Sequence, residues 1–354
     1  MRELLNVPLA AYTTLGLGGP ARRLVEAATD DDVICAVQAV DAAGQPLLVL
    51  GGGSNLVVAD EGFAGVVVRV CPRGIDVHDD GDGPVRVVAR AGEDWDELVV
   101  RTLAAGLSGM ECLSGIPGLV GAAPMQNIGA YGQEVSQTIT GVRAYDRQLG
   151  REVTLPAAKC GFGYRHSVFK STARYVVLAV SFALERSELS QPVRYAELAG
   201  ALRVRPSDRA PLADVRATVL DLRRSKGMVL DPVDADTRSA GSFFTNPVLD
   251  PAALRALEER VARRLGPQAA FPRFPERDGA VKTSAAWLIQ HAGYGRGYGA
   301  GRVRISTKHT LALTNRGGAT TAELLTLARE VRDGVRAAFG VELVNEPVLV
   351  GVAL

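Results

Sequence analysis

The chain has 354 residues, of which 47% are hydrophobic and 22% charged, and 40 basic against 39 acidic residues leave a net charge of +1. This composition is typical of a globular protein of two or three domains and excludes a disordered or low-complexity chain. The balanced charge gives no compositional reason to expect a partner such as nucleic acid or a membrane surface.

The N-terminus and the cysteines indicate the compartment. The opening residues, MRELLNVPLAAYTTLG, lack a basic region followed by a long apolar segment. No apolar run approaches the roughly 18 residues that a membrane-spanning helix needs. The four cysteines are too far apart along the chain for a zinc site or a CxxC pair, which favours reduced thiols. We therefore expect a cytoplasmic protein without a metal site.

The first seventy residues predict strands around one helix. Residues 21–28 are a candidate strand, and residues 29–32 (TDDD) resemble a capping box that begins a helix. That helix is expected to end at Gly44. The apolar run 46–50 predicts a strand buried on both faces, and residues 66–70 predict a further short strand.

The middle of the chain alternates strand-like runs with a helix at residues 94–105. The predicted strands are residues 85–89, 142–145 and 175–184. Residues 191–211 are polar and contain prolines, which favours a linker around a short helix at 195–202.

Helices dominate the remainder. They are predicted at 212–226, 251–265 and 284–291, with strands near Val303 and Leu311. A second capping box, at residues 320–323, begins a final helix that ends near Phe339, and a last strand follows. These changes of pattern predict three parts, namely residues 1–70, 71–206 and 207–354.

Three successive glycines follow the predicted strand at 46–50. Such a run allows positive φ angles and close approach of the backbone to a ligand, and its N–H groups suit a phosphate. A tight turn explains three glycines alone equally well. The run lacks the GxGxxG spacing of a Rossmann-type dinucleotide site, as does the segment 16–20. The candidate ligand-binding residues here are Gly51, Gly52, Gly53, Ser54 and Asn55.

A second glycine-rich segment, residues 115–132, has no helical or strand periodicity. Its glycines, prolines and small residues predict a rigid path that can line a flat ring system with polar edges, and its two amides add donors and acceptors. The candidate residues are Gly115, Ile116, Pro117, Gly118, Gly121, Gln126, Asn127, Ile128, Gly129, Ala130 and Tyr131.

Six segments carry a resemblance to a known family. In chain order they are LVLGGGSNLVV, SGIPGLVGAAPMQNIGAYGQE, GYRHSVFK, GSFFTNP, AAWLIQHAG and NEPVLVG. Together they resemble the UDP-N-acetylenolpyruvoylglucosamine reductase family from about Tyr12 to Val352. The resemblance implies an α+β fold, with a two-subdomain FAD-binding unit of the vanillyl-alcohol-oxidase (PCMH) type and a C-terminal α+β substrate-binding domain. Parts 1–70 and 71–206 would be the FAD-binding subdomains, and 207–354 the substrate-binding domain.

The implied reaction is the NADPH-dependent, FAD-mediated reduction of UDP-N-acetylglucosamine enolpyruvate to UDP-N-acetylmuramate in peptidoglycan precursor synthesis. The glycine-rich residues named above would bind FAD. No histidine or cysteine lies in those two segments, so non-covalent attachment is expected. Hydride addition to the vinyl group builds negative charge beside a carboxylate, and the site therefore needs a cationic group and a proton donor.

Three residues match the catalytic residues of the family. Ser242, in GSFFTNP, matches the proton donor, and Arg165, in YRHS, matches the arginine that holds the substrate carboxylate. Glu346, in NEP, matches the third residue. Because a bare carboxylate would repel an anionic intermediate, we expect Glu346 to act protonated or through a hydrogen bond to Arg165 or water.

The substrate-binding residues implied by the resemblance depart from the family pattern in two places. The connection from Lys226 to Gly241 is longer, and a glutamine and a histidine follow the AAWLI helix where the family has an amide. Lys226 is expected at the diphosphate or the nicotinamide nucleotide, Tyr195 on a closing loop and Asn246 at the uridine. The whole set is Tyr164, Tyr195, Lys226, Asn246, Gln290 and His291.

Two other functions remain open at this point. One is a flavin oxidase or dehydrogenase acting on another small molecule, and the other is a sensor that binds FAD or a nucleotide sugar without turnover. The catalytic set argues against an oxidase, which needs no proton donor to carbon. The expected partners are a UDP-sugar and NADPH, with no nucleic acid and no membrane, and a monomer is favoured.

Overall fold

The computed structural model describes residues 1–81, 83–170 and 172–354. It divides the chain into two compact units. The first unit contains residues 1–7, 21–53 and 64–229, and the second contains residues 8–20, 54–63 and 230–354. The three-part division expected from the sequence stays a prediction.

The helices and strands follow in chain order. The α-helices are α1 (Asp30–Ala42), α2 (Trp95–Ala104), α3 (Ala196–Leu202), α4 (Leu212–Ser225), α5 (Pro251–Leu265), α6 (Ala285–His291) and α7 (Thr321–Phe339). The strands are β1 (Arg2–Pro8), β2 (Pro20–Ala27), β3 (Leu47–Leu50), β4 (Leu56–Val58), β5 (Phe63–Val70), β6 (Ile75–His78), β7 (Val85–Arg90), β8 (Leu107–Ser108), β9 (Gly129–Ala130), β10 (Gln133–Glu134), β11 (Ile139–Asp146), β12 (Arg151–Pro156), β13 (Tyr175–Arg186), β14 (Val248–Leu249), β15 (Arg273–Pro275), β16 (Val281–Thr283), β17 (Val303–Ile305), β18 (Leu313–Asn315) and β19 (Val348–Val350).

Two sheets and their helices form the core of the first unit. One sheet has the order β1-β2-β5-β3, and the other has the order β12-β11-β13-β7-β6, with β8 paired to β13. Helix α1 begins at the predicted capping box, in which the Thr29 side chain and the Asp32 side chain each bond the other's backbone N–H. Its residues Val33, Val37 and Val40 recur at helical spacing and are buried, so this face packs on the core.

The structure corrects two expectations in this unit. Strand β3 is a sheet edge rather than a strand buried on both faces, and Val49 is 37% exposed. The segment 191–211 is packed rather than a linker, since Val193, Leu198 and Ala210 are buried in one hydrophobic cluster with residues of α4.

Small sheets and long helices build the second unit. Strands β14, β16 and β15 form one sheet, β17 pairs with β18, and β19 runs parallel to β4. Helix α7 buries Leu324, Ala328, Val331 and Val335, which recur on one face. No helix in the described part of the chain is both long and apolar enough to cross a membrane.

The backbone N–H groups at the start of α7 have two sets of hydrogen-bond acceptors. The Thr320 side chain accepts from the N–H of Glu323, and the Glu323 carboxylate accepts from the N–H of Thr320. The carboxylate of Asp60 accepts from the next two N–H groups, those of Thr321 and Ala322, at 2.7 and 2.9 Å. The first N–H groups of a helix have no partner within the helix, so these contacts fix where α7 begins.

We expect Thr320→Ala to lower the free energy of unfolding by about 1 kcal/mol, because it removes the cap acceptor of the N–H of Glu323. The measurement is the urea midpoint followed by circular dichroism. Thr326→Ala, at an exposed position inside the same helix, is the control and should show no comparable loss. An equal loss in both variants would contradict the capping role.

Candidate active site

The two glycine clusters lie against each other in the first unit. A Cβ atom added at Gly52 would lie 2.9 Å from the Cα of Gly118, and one added at Gly121 would lie 2.6 Å from the Cβ of Ala91. Both distances are shorter than any ordinary carbon contact. Only glycine therefore permits this packing, which brings the backbones of the two clusters together at Gly52 and Gly118 and lets the N–H of Gly121 donate to the carbonyl of Ala91 at 2.9 Å.

Polar contacts fix the start of the second cluster. The N–H of Gly115 donates to the carboxylate of Asp96 at 2.6 Å, and Arg216 donates to both oxygens of that carboxylate at 2.7 and 2.8 Å. Burial opposes the ionisation of Asp96, but the bonds from Arg216 and Gly115 outweigh it and hold the pKa of Asp96 below its usual value. Asp96 thus ties α2, α4 and the glycine segment together.

The rest of the glycine-rich segment, up to Ala130, contains three half-buried stretches. Ile116, Pro117 and Gly118 precede the close contact at Gly121, Gln126 and Ile128 flank Asn127, and Gly129 and Ala130 form β9.

Asn127 holds the middle of the segment. Its buried side chain donates to Glu134 at 2.8 Å and to the carbonyl of Gly163 at 3.1 Å, and it accepts from the N–H of Ser136 at 3.0 Å. The amide of this predicted cofactor residue is therefore used to shape the loop.

Arg165 lies along the same segment. Its Nη1 donates to the carbonyl of Asn127 at 3.3 Å and its Nη2 to the carbonyl of Gly129 at 2.9 Å. The guanidinium carbon lies 5.4 Å from the ring centre of Tyr164. The structure thus brings one predicted catalytic residue to the predicted cofactor segment.

Three further predicted residues meet at the end of this segment. The rings of Tyr131 and Tyr195 are in edge contact with centres 5.6 Å apart, and the Lys226 ammonium lies 5.3 Å from the centre of the Tyr131 ring. Burial raises the pKa of Tyr131 to about 12.

Arg223 is a neighbour that the sequence analysis missed. Its Nε is buried without a hydrogen-bond partner, while its Nη2 donates to the carbonyl of Met228 at 2.8 Å. Burial lowers the pKa of Arg223 to about 10, against the opposing charges of Tyr131 and Asp96. One feature of the sequence could have indicated it. Arg223 follows the buried Val219 by four residues on α4, and residues with this spacing share a face of a helix.

The second unit brings Ser242, Glu346 and Asn55 together. The segment that carries Ser242 is held where the N–H of Phe243 donates to the carbonyl of Leu311 at 2.7 Å. The carbonyl of Phe243 accepts from the N–H of Glu346 at 2.8 Å, and the side chain of Asn55 donates to the carbonyl of Glu346 at 3.4 Å. Two predicted catalytic residues, more than a hundred positions apart in the chain, are therefore neighbours.

The approach to Ser242 is anchored by acidic residues. Asp236 accepts from the N–H of Thr307 at 3.0 Å and from Arg316 at 2.8 Å, and Asp234 pairs with Lys308 at 2.5 Å. Burial opposes the ionisation of Asp236, but the bonds from Thr307 and the charge of Arg316 hold its pKa below the usual value. Ser54 is linked to the same region, since Thr14 donates to the carbonyls of Ser54 and Ser239 at 3.4 and 2.7 Å.

The remaining predicted substrate residues lie at the two ends of α6. Asn246 accepts from the N–H of Ala285 at 3.0 Å, at the first residue of the helix. His291, the last residue, stacks on Trp287 with ring centres 3.9 Å apart, and Gln290 is exposed. Seven residues of helix span roughly 10 Å, so the structure does not bring Asn246 and His291 to one point. Among the described residues, no group of three or more acidic, histidine or cysteine side chains is placed to hold a metal ion.

Comparison with known proteins identifies the family. Residues 231–350 match the model of the C-terminal domain of UDP-N-acetylenolpyruvoylglucosamine reductase, and residues 21–155 match that of an FAD binding domain. The UDP-N-acetylenolpyruvoylglucosamine reductase of Thermobifida fusca is 62% identical over 349 residues, which cover 99% of this chain and 98% of the relative. The chain belongs to the UDP-N-acetylenolpyruvoylglucosamine reductase family. A second relative with this name, from Streptomyces avermitilis, is 59% identical over 100% of this chain and 96% of its own.

A solved structure agrees with the assignment. The crystal structure of UDP-N-acetylenolpyruvylglucosamine reductase from Thermus caldophilus matches with a TM-score of 0.66 and 26% identity, covering 99% of this chain and 98% of that chain. The α+β fold with an FAD-binding domain is confirmed. As a member of this reductase family, the chain is an FAD-dependent oxidoreductase that reduces UDP-N-acetylglucosamine enolpyruvate for peptidoglycan precursor synthesis, and NADPH is the family's reductant.

The glycine contacts of the first unit fit FAD. Where Gly52 meets Gly118 neither residue carries a side chain, so a diphosphate or the edge of a ring can approach the backbone closely there, whereas the N–H of Gly121 is already bonded to the carbonyl of Ala91 at 2.9 Å.

We expect Gly52→Ala to weaken FAD binding at least about fivefold, because the new Cβ must push the Gly118 backbone away at a cost of about 1–3 kcal/mol. The measurement is the ratio of flavin absorbance to protein absorbance after dialysis of the purified protein. Gly295→Ala, where a Cβ meets nothing within 4 Å, is the control. Full flavin content in Gly52→Ala would show that this contact does not shape the FAD site.

Proposed function

We propose that the chain reduces the enolpyruvyl group of its substrate with Ser242, Arg165 and Glu346 as catalytic residues. The observation that carries the proposal is the 2.8 Å bond between the N–H of Glu346 and the carbonyl of Phe243, which fixes Glu346 next to Ser242. Arg165 belongs to the first unit, and Ser242 and Glu346 belong to the second.

In this proposal Ser242 donates the proton. The two glycine clusters would hold FAD, whose chemistry there would be to pass hydride from NADPH to the vinyl group of the substrate. The Oγ of Ser242 then protonates the neighbouring carbon, which bears the developing charge. A hydroxyl is a weak acid, but a carbanion beside a carboxylate is a strong base, so the transfer is favourable. The bonds of Phe243 to Leu311 and Glu346 hold the backbone that positions this hydroxyl.

Arg165 binds the substrate carboxylate. Its bonds to the carbonyls of Asn127 and Gly129 fix the plane of the guanidinium, and a planar guanidinium suits a carboxylate. Its fixed positive charge stabilises the negative charge that builds on the carboxylate as the double bond is reduced.

Glu346 acts either as a protonated carboxyl group or through a hydrogen bond to Arg165 or water. An ionised carboxylate near the same intermediate would raise its energy, whereas a protonated one donates a hydrogen bond. The N–H of Glu346 donates to the carbonyl of Phe243 and its carbonyl accepts from the side chain of Asn55, and these bonds hold its backbone in place.

The same proposal assigns residues to the binding of FAD and of the substrate. FAD is held non-covalently by the two glycine clusters with Ser54, Asn55, Gln126, Asn127 and Tyr131. The substrate is held by Tyr164, Tyr195, Lys226 and Asn246, with Gln290 and His291 at the end of α6. The monomeric state and the cytoplasmic location stay predictions.

We expect Ser242→Ala to reduce its flavin with NADPH at the parent rate and to lose about 10²- to 10⁴-fold in the rate of flavin reoxidation by substrate. Stopped-flow absorbance separates the two half-reactions. Thr245→Val, which removes a hydroxyl from the same segment, is the control. Reoxidation at the parent rate in Ser242→Ala would exclude the serine as the proton donor.

We also expect steady NADPH oxidation only in the presence of the enolpyruvyl sugar. Without this alkene the reduced flavin cannot transfer its hydride and therefore cannot accept another from NADPH. The measurement is the loss of NADPH absorbance with and without this substrate, under air and under nitrogen. Rapid NADPH oxidation by oxygen alone would favour an oxidase, and flavin that substrate never reoxidises would favour a sensor.

A further inference from the structure

The ammonium of Lys226 is already engaged by a carboxylate of the first unit. Its Nζ lies 2.6 Å from the Oε2 of Glu197, in the first turn of α3. Lys226 directly follows α4, and the two side chains are 31% and 41% exposed. The ion pair is therefore accessible to solvent, and solvent screens the attraction between its two charges only in part.

Two aromatic side chains lie next to this ion pair. The Lys226 ammonium faces the ring of Tyr131 at 5.3 Å, and Tyr131 is in edge contact with Tyr195. Glu197 follows Tyr195 by two residues, so the same short segment supplies both the ring and the carboxylate. Lys226 thus lies between an aromatic face, which attracts a cation, and an anion that neutralises it.

We propose that Glu197 is an internal competitor that occupies Lys226 and weakens the binding of nucleoside diphosphates. The inference rests on the proposed function of Lys226 as a diphosphate contact. An arriving diphosphate must displace the Glu197 carboxylate or bind beside it against like-charge repulsion. Glu197 therefore sets the affinity of the site and speeds the release of a nucleotide that must leave in each turnover.

The surrounding charges support this role. Arg223 is a second cation whose charge acts on Tyr131, and its own acidic neighbour, Asp96, is bonded to Arg216 and Gly115. Burial and then the charge of Glu197 raise the pKa of Tyr195, so the field of Glu197 reaches the ring that adjoins Tyr131. Loss of the Glu197 charge would leave two cations near Tyr131 facing an anionic ligand.

The test measures the dissociation constant of UDP for the FAD-loaded, full-length protein by titration calorimetry. Glu197→Gln is expected to bind UDP about three- to fivefold more tightly, the scale set by a half-exposed ion pair. Lys226→Gln is expected to bind it more weakly, and adding Glu197→Gln to Lys226→Gln should give a smaller gain than in the parent, because only the direct repulsion of the ligand is then relieved. Glu197→Ala, which also removes the carboxylate, should reproduce the gain, and a gain confined to Glu197→Gln would overturn the competitor role in favour of a direct contact from the glutamine.

The charge-matched control is Asp221→Asn. Asp221 lies on α4, is exposed and pairs with Arg224. Asp221→Asn therefore removes one negative charge, as Glu197→Gln does, without touching Lys226. Its affinity should equal that of the parent, and an equal gain would overturn the inference in favour of a general charge effect.

The remaining outcomes separate the inference from the function on which it rests. Weaker binding in Lys226→Gln with unchanged or weaker binding in Glu197→Gln overturns the competitor role alone. Unchanged binding in Lys226→Gln overturns the diphosphate role of Lys226 and the inference with it.

Discussion

The close approach of two backbone segments at glycine is the constraint on which the first unit depends. Gly52 against Gly118, and Gly121 against Ala91, leave no room for a methyl group. The peptide groups at these contacts are partly satisfied within the protein, since the N–H of Gly121 donates to the carbonyl of Ala91 at 2.9 Å and the carbonyl of Gly118 accepts from the N–H of Trp95 at 3.0 Å. What the glycines add is close approach, because a ligand can reach the backbone at Gly52 and Gly118 without meeting a side chain of either residue.

A segment with little regular structure needs another source of order. Fixing each of its residues costs about 1–2 kcal/mol of conformational entropy, and only the two-residue strand β9, a 3-10 turn at Val120–Ala122 and scattered backbone bonds offset that cost here. Buried polar side chains supply further order. Asp96 holds the first residue, Gly115, and Asn127 holds the middle with three hydrogen bonds. A residue such as Asn127 therefore matters to a ligand through the path of the loop that it fixes.

The parts of the fold that local chemistry decides could be predicted from the sequence. Helix α5 was predicted over its full length, and both capping boxes mark the starts of α1 and α7. The exposure of β3 could not be predicted, because the place of a strand in its sheet depends on distant partners. The pairing of Glu197 with Lys226 was equally out of reach, since a 29-residue separation carries no periodicity.

For the candidate site, the motifs predicted candidate residues but not their surroundings. Ser242 and Glu346 were predicted separately from two short segments, and only the fold shows that their backbones are linked. Arg223 belongs to no motif that the sequence analysis used. Its unpartnered Nε became visible only when α4 was placed against the glycine segment.

The connection from Lys226 to Gly241 shows how a loop can place the residue that follows it. A long loop costs little in closure entropy, but it would leave Ser242 poorly placed if nothing held the chain near it. Here Asp234 and Asp236 bind Lys308, Thr307 and Arg316. On one side of Ser242, Phe243 is held by Leu311 and Glu346, and on the other side the N–H of Gly241 donates to the hydroxyl of Ser239 at 3.2 Å. The backbone at the serine is therefore held by hydrogen bonds within the second unit.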